Sequence, residues 1–200
     1  MLVLNKINKS YSENNVIKDF CFNFNLNQIY KLSGPNGIGK TSLLKIIKGI
    51  LIEDSGTIKF KDKEKYRDKV SFVDSNNRSF FHRLSVKQNL SYFIALNKLR
   101  YEDEEIKALA RELKIENLLD RSFSLLSMGQ MQMISLMRGM LEKPKILLLD
   151  EIFSNLDEKN IAIICKFLSD FIAKKDSLII FSSHAKDLPF DISEEITLER

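Results

Sequence analysis

Apolar and polar positions along the chain alternate in two different periods, and the switches between them mark out the elements. "MLVLNKI" reads as a strand. "FCFNFNL" alternates strictly and puts Phe20, Phe22, Phe24 and Leu26 on one face, as a half-buried strand does. "QIYKLS" is another strand that runs into a glycine-rich turn, and "SLLKIIKGIL" follows with helical spacing. "GTIKF" and "KVSFV" read as strands. From Ser85 to about Ile115 the pattern is helical and charged. "PKILLLD" and "SLIIFSS" are short, continuous apolar runs, the pattern of strands covered on both faces of a sheet. Between them "EKNIAIICKFLSDFIAKK" is an amphipathic helix. Strands alternating with helices predict an α/β fold with a mainly parallel sheet. Residues 76–135 lack strong strands and read as a helical insertion. The expectation is one domain over 1–200, with a core of about 1–75 and 136–200 and a helical subdomain of about 76–135.

Composition narrows the classes without choosing among them. The chain has 200 residues, 44% hydrophobic and 29% charged, which fits a soluble globular protein. Its net charge of +4 comes from scattered lysines with no dense basic run, so charge argues for no particular polyanion. Cys21 and Cys165 lie far apart in apolar runs and read as reduced, buried thiols, and with only His82 and His184 besides, a structural zinc is not expected. The N-terminus lacks the apolar core of a signal peptide, and no window is apolar for long enough to span a bilayer.

"GPNGIGKT", residues 34–41, follows a predicted strand and opens a predicted helix, the context of a phosphate-binding loop. Glycines let the backbone curl so that successive N–H groups point at phosphate oxygens, and the helix N-terminus adds positive potential. Lys40 would reach the β and γ phosphates, and the Thr41 hydroxyl would ligate Mg²⁺. "KILLLDE", residues 145–151, is an apolar strand ending in Asp150, which places a carboxylate at the sheet's ligand-binding edge. Asp150 would hold Mg²⁺, and Glu151, next in the chain, would polarise an attacking water. These motifs predict a P-loop nucleoside triphosphatase. "LSMGQMQ", residues 126–132, reads locally as a capped helix start, with Ser127 as N-cap and Met133, Met137, Met140 and Leu141 as the core face.

In combination the motifs resemble the ATP-binding cassette (ABC) family. Leu126, Ser127, Gly129 and Gln130 match its L-S-G-G-Q signature, with Met128 in place of the first glycine. Tyr11, in "NKSYSENNVIKDF", stands where the family's aromatic residue stacks on adenine. "SNLD", residues 154–157, matches the loop that carries a dimer contact at Asp157, and His184 stands where a histidine contacts the γ-phosphate. The resemblance covers about residues 2–188. It implies a RecA-like core with an N-terminal antiparallel β part. It also implies a nucleotide-binding set of Tyr11, Gly34, Pro35, Asn36, Gly37, Ile38, Gly39, Lys40, Thr41 and Ser42, with Mg²⁺ on Thr41 and Asp150 and catalysis by Glu151 and His184. Two cassettes, identical or paralogous, would sandwich ATP head to tail, with Ser127, Gly129 and Gln130 reaching the other chain's nucleotide.

The implied function is ATP hydrolysis that drives a transporter, here an exporter, from the cytoplasmic face of a transmembrane permease subunit, with no nucleic acid involved. Export is read from "RSFFHRLS", which resembles a branch of bacterial exporter ATPases. Phe80, Phe81 and Arg83 are the candidate coupling surface. Ser75 stands where the family usually has glutamine, so it would reach Mg²⁺ or the lytic water only through another water, or Asn76 would substitute. Ile152 replaces the usual proline after the acidic pair, and from the short stretch after His184 a regulatory C-terminal domain is not expected. Two other readings stay open: a non-transport ABC ATPase acting on nucleic acid or ribosomes, and an ATP-dependent assembly module with little hydrolysis.

Overall fold

Two sheets organise the chain in a computed structural model, which describes residues 1–12, 14–61, 66–76, 79–154, 156–174, 176–185 and 188–199. Strands β1 (Leu2–Tyr11), β2 (Asn14–Phe24) and β4 (Ser55–Phe60) form an antiparallel sheet in the order β2-β1-β4. Strands β3 (Gln28–Ser33), β5 (Val70–Asp74), β6 (Ile146–Asp150), β7 (Leu178–Ser182) and β8 (Glu194–Thr197) form a parallel sheet in the order β5-β6-β7-β3-β8. The helices are α1 (Lys40–Lys48), α2 (Val86–Leu96), α3 (Asp103–Glu112), α4 (Met128–Leu141) and α5 (Glu158–Ile172). The fold is α/β, with a parallel core, an antiparallel part and helices. No helix among the described residues is long and apolar enough to cross a membrane.

The two-residue period divides the core. On β3, β6 and β7, Ile29, Leu147, Leu149, Ile179 and Phe181 face one cluster, which α2 to α5 cover. Tyr30, Leu32, Leu148, Ile180 and their neighbours face the other, against α1 and the antiparallel sheet. β6 and β7 are therefore buried on both faces at every position, as their unbroken apolar runs require. Phe24 is buried in the second cluster, and Phe20, Phe22 and Leu26 pack against it.

Two elements and one cysteine depart from the sequence pattern. β8 carries a single buried residue, Ile196, in a polar stretch, so its sequence gives no strand signal; pairing with β3 forms it. α1 stops at Lys48 because Gly49 takes a left-handed φ of 82° and its N–H returns to Lys45 O and Ile46 O. Cys165 is buried, and burial pushes its thiol up to about 12. Cys21, expected to be buried, lies on the outward alternation of β2 and is exposed.

Candidate functional site

β3 delivers the chain to the carboxyl edge of the parallel sheet, where the glycine-rich turn begins. Gly37 and Gly39 adopt φ of 78° and 117°. At Gly39 a Cβ would also lie 3.0 Å from both Val16 Cγ1 and Val16 O, so conformation and space both demand glycine there. Gly39 is the N-cap of α1 and supplies no side-chain cap, so the first-turn N–H groups remain available to an anion. Lys40 is 7% exposed. Its ammonium donates to Gly34 O at 2.7 Å and Pro35 O at 3.1 Å, which holds it over the loop.

Beside the loop, one carboxylate gathers three elements. Thr41 Oγ1 donates to Asp150, at 2.8 Å from Oδ2 and 3.0 Å from Oδ1. Ser182 Oγ, at the end of β7, donates to Asp150 Oδ1 at 2.7 Å. The same hydroxyl accepts from Glu151 N–H at 3.1 Å, and Ser182 O accepts from that N–H at 3.2 Å. Glu151 is left-handed, with φ 54°, a conformation that strains a residue carrying a Cβ. Ser154 secures the turn: its Oγ donates to Glu151 O at 2.7 Å. His184 Nε2 lies 3.4 Å from Glu151 Oε1.

Lys40, Thr41, Glu151, Ser154 and His184 meet at a cavity of about 560 Å³ lined also by Tyr11, Val16, Asn36, Gly37, Gly39 and Ser42, with Asp150 behind Thr41 and not in the lining. Tyr11 is exposed, and its hydroxyl lies 3.2 Å from Ser42 Oγ. Val16, Ser154 and Ser182 are the residues that sequence reasoning missed. Ser182 ends an apolar strand and reads as its terminator; Val16 lies at the start of β2, ahead of the stretch "FCFNFNL" that reads as a strand. The donor set suits Mg²⁺: a hydroxyl and a carboxylate, both hard oxygen ligands, sit in contact at the phosphate end. Among the described residues no group of three or more His, Cys, Asp or Glu could cage a metal alone, so a cation there would draw most of its ligands from phosphate and water.

Other predicted residues lie outside this cavity. Gly34 and Pro35 hold Lys40 from below, and Ile38 is buried beneath the loop. Ser75 follows β5, and its N–H donates to Asp150 O at 3.2 Å. Ser127 caps α4 in a reciprocal box: its Oγ accepts from Gln130 N–H at 3.3 Å, and Gln130 Oε1 accepts from Ser127 N–H at 3.0 Å. Gly129 is packed so closely that a Cβ would lie 3.1 Å from Leu156 Cδ2 and Asn160 Nδ2. Met128 is exposed. Asp157 caps α5 through Asn160 N–H at 2.7 Å. Asn155 and Arg78, parts of two quoted motifs, lie outside the described residues. Phe80, expected at a coupling surface, is 4% exposed and stacks on Phe123 with centroids 4.4 Å apart, so it belongs to the core. Phe81 is 45% exposed, and Arg83 is exposed.

Comparison with known proteins places this geometry in a family. The family model described as "ABC transporter" matches residues 17–154. The sulfate/thiosulfate import ATP-binding protein CysA of Halalkalibacterium halodurans is 31% identical over 98% of this chain and 58% of its own length. The spermidine/putrescine import ATP-binding protein PotA of Haemophilus influenzae is 29% identical over 100% of this chain and 55% of its own. The chain thus spans little more than half the length of these relatives. The ABC transporter ATP-binding protein YybJ of Bacillus subtilis is 28% identical, with 94% and 88% covered. Among solved structures, a putative ABC transporter ATP-binding protein from Pyrococcus furiosus superposes with a TM-score of 0.84 at 23% identity, covering 98% of this chain and 96% of that one. The structural neighbours share the P-loop cassette fold. Export finds no support among these relatives: CysA and PotA, whose names state a direction, are import proteins.

Proposed function

We propose, from the premise that this chain belongs to the ABC transporter family of ATP-binding cassettes, that it binds and hydrolyses ATP to drive a membrane transporter. The observation that carries the proposal is the single cavity at which Lys40, Thr41, Glu151 and His184 meet. Adenine would stack on Tyr11, with Val16 as the apolar wall. The loop N–H groups and Lys40 would take the phosphates, drawing the ammonium from Gly34 O and Pro35 O. Thr41 and Asp150 would hold Mg²⁺, which when bound neutralises phosphate charge. Glu151 would accept a proton from the attacking water while His184, beside it, donates a hydrogen bond to the γ-phosphate. Asp150 stays oriented by Thr41 and Ser182 throughout.

The wall opposite the cavity would come from a second cassette, through Ser127, Gly129 and Gln130, with Asp157 at the contact. The capping box supports this assignment. Ser127 Oγ accepts from Gln130 N–H, so its own proton remains to be donated outward to a phosphate. Phe81, with Tyr92 beside it at a centroid distance of 4.8 Å, forms an exposed aromatic surface for a transmembrane permease on the cytoplasmic face. Import is the direction the relatives' names favour.

The test is Glu151→Gln. Phosphate release should drop by at least about 100-fold, the contribution of a general base. ATP should remain bound, and the protein should shift to a dimer on size exclusion. An unchanged steady-state rate rejects the assignment.

A further inference from the structure

Arg138 is the basic residue in the last turn of the signature helix. It projects from the C-terminal half of α4, while Ser127 and Gln130 stand at the helix start. Its Nη1 donates to Ser79 Oγ, and its guanidinium carbon lies 5.0 Å from the Phe80 ring centroid and 5.1 Å from that of Phe93. One side chain therefore touches α4, α2 and the loop after β5. Among the described residues it makes no ion pair within 4.0 Å; Asp74 and Glu142 face it from farther off. Burial pulls the guanidinium below its usual range, although an arginine stays charged throughout the working pH range. A half-buried cation without a close carboxylate is a poorer packing element than methionine or leucine at the same place. Its value lies in joining the surfaces on either side.

What it joins is connected to both ends of the proposed machinery. Toward the nucleotide, the loop begins at Asp74 and Ser75, and Ser75 N–H is bonded to Asp150 O. Toward the surface, Ser79 and Phe80 lead directly to exposed Phe81. Buried Asn89 clamps that residue by both backbone groups: Phe81 N–H donates to Asn89 Oδ1 at 2.8 Å, and Asn89 Nδ2 donates to Phe81 O at 3.0 Å. Resting on the reading that the α4 N-terminus engages nucleotide across a dimer, we propose that Arg138 is a positioning residue. It ties the aromatic surface at Phe81 to the signature helix, so that displacement of either one is transmitted to the other. The wedge is stiff because the guanidinium packs against two aromatic rings that themselves meet edge to face and is bonded at its edge.

The experiment is hydrogen–deuterium exchange on the full chain carrying Glu151→Gln, with and without MgATP. In this parent, ATP should slow exchange both at the first turn of α4 and over residues 79–84, by about threefold or more. Adding Arg138→Met keeps the volume and removes the guanidinium. The first turn of α4 should still gain protection, while the 79–84 segment should lose its response. Arg138→Lys, which keeps charge but loses the planar fork, should restore part of it, and Ser79→Ala should reproduce part of the loss. An unchanged ATP response at 79–84 in R138M overturns the proposal, as does loss at both segments with no rescue by lysine, the mark of a merely structural role. If R138M does not fold, S79A decides: an intact loop response there overturns the proposal. Should neither segment respond in the parent, the dimer reading itself fails, and this inference fails with it.

Discussion

Ser182→Ala tests how the two acidic residues are held. The hydroxyl is fully buried, donates to Asp150 Oδ1 at 2.7 Å and accepts from Glu151 N–H at 3.1 Å. Alanine removes both contacts. Glu151 N–H keeps Ser182 O at 3.2 Å, so that loss is partly compensated. Asp150 keeps the Thr41 hydroxyl but loses its other side-chain donor, and a hydrogen bond to a charged group contributes about 1.5–3 kcal/mol. A net destabilisation of about 2 kcal/mol follows, which lowers the melting temperature by about 4–8 °C in a chain of this size.

Stability alone does not identify the partner, so the assay is a double-mutant cycle with Asp150→Asn, by denaturant unfolding. If Asp150 is the partner, the Ser182→Ala loss should shrink by about 1 kcal/mol or more in the Asp150→Asn background. In the single mutant, Asp150 is less firmly aimed, and the Mg²⁺ concentration for half-maximal ATPase should rise about tenfold, equivalent to about 1.4 kcal/mol. Equal losses in both backgrounds, together with an unmoved Mg²⁺ dependence, refute the reasoning: the hydroxyl would then be filling space.

Lys40→Ala removes a charge-assisted contact of about 2–3 kcal/mol, and affinity for a fluorescent ATP analogue should fall by about 30–150-fold; a change below about twofold counts against the phosphate-loop reading. At Gly139 on α4 a Cβ would lie 2.4 Å from Val73 Cγ2 and 3.0 Å from Ser71 Oγ. Gly139→Ala therefore sets about 1–3 kcal/mol of overpacking against a helix-propensity gain of about 1 kcal/mol. The melting temperature should drop by a few degrees, and a rise would mean that β5 yields to the methyl. Ser75→Gln leaves the backbone bond to Asp150 O in place and extends the side chain. Steady-state ATPase should increase, and an unaltered rate would show that this position does not limit turnover.

Motifs whose chemistry lives in the backbone were legible in the sequence. The phosphate loop declared itself because left-handed φ at Gly37 and Gly39 requires glycine, and because a strand and a helix had to flank it. β6 and β7 were equally plain, since only strands covered on both faces tolerate such continuous apolar runs. Side-chain fate in loops was not legible. Phe80 and Phe81 are adjacent and chemically identical, yet one stacks on Phe123 while the other is exposed; the choice is made by Asn89, eight residues on, clamping the Phe81 backbone. Ser182 gave no signal because one hydroxyl at a strand end is common, and its meaning comes only from parallel pairing that sets Asp150 opposite Ser182. The same pairing with β3 turns the polar "EEIT" into β8.

The arrangement also explains why the signature segment is built as a rigid part rather than a flexible arm. Its helix start is locked by the reciprocal bonds of Ser127 and Gln130. Gly129 lets it approach Leu156 and Asn160 without a side chain between them. Buried Gln132 adds an Nε2–H bond to Ser154 O at 2.8 Å, and Ser154 Oγ in turn holds Glu151 O. One chain of contacts therefore runs from the signature helix through Ser154 to the residue proposed to activate water. A contact made at Ser127 by a nucleotide on another cassette would press on a body that already carries the backbone of Glu151. A hydrolysis step that depends on Glu151's strained left-handed geometry would then sense whether the other cassette's nucleotide is in place. Two sites related by head-to-tail packing would in this way each hold the other's water-activating residue in position. That coupling needs no moving parts within the chain, only the packing that Gly129, Gln132 and Ser154 provide.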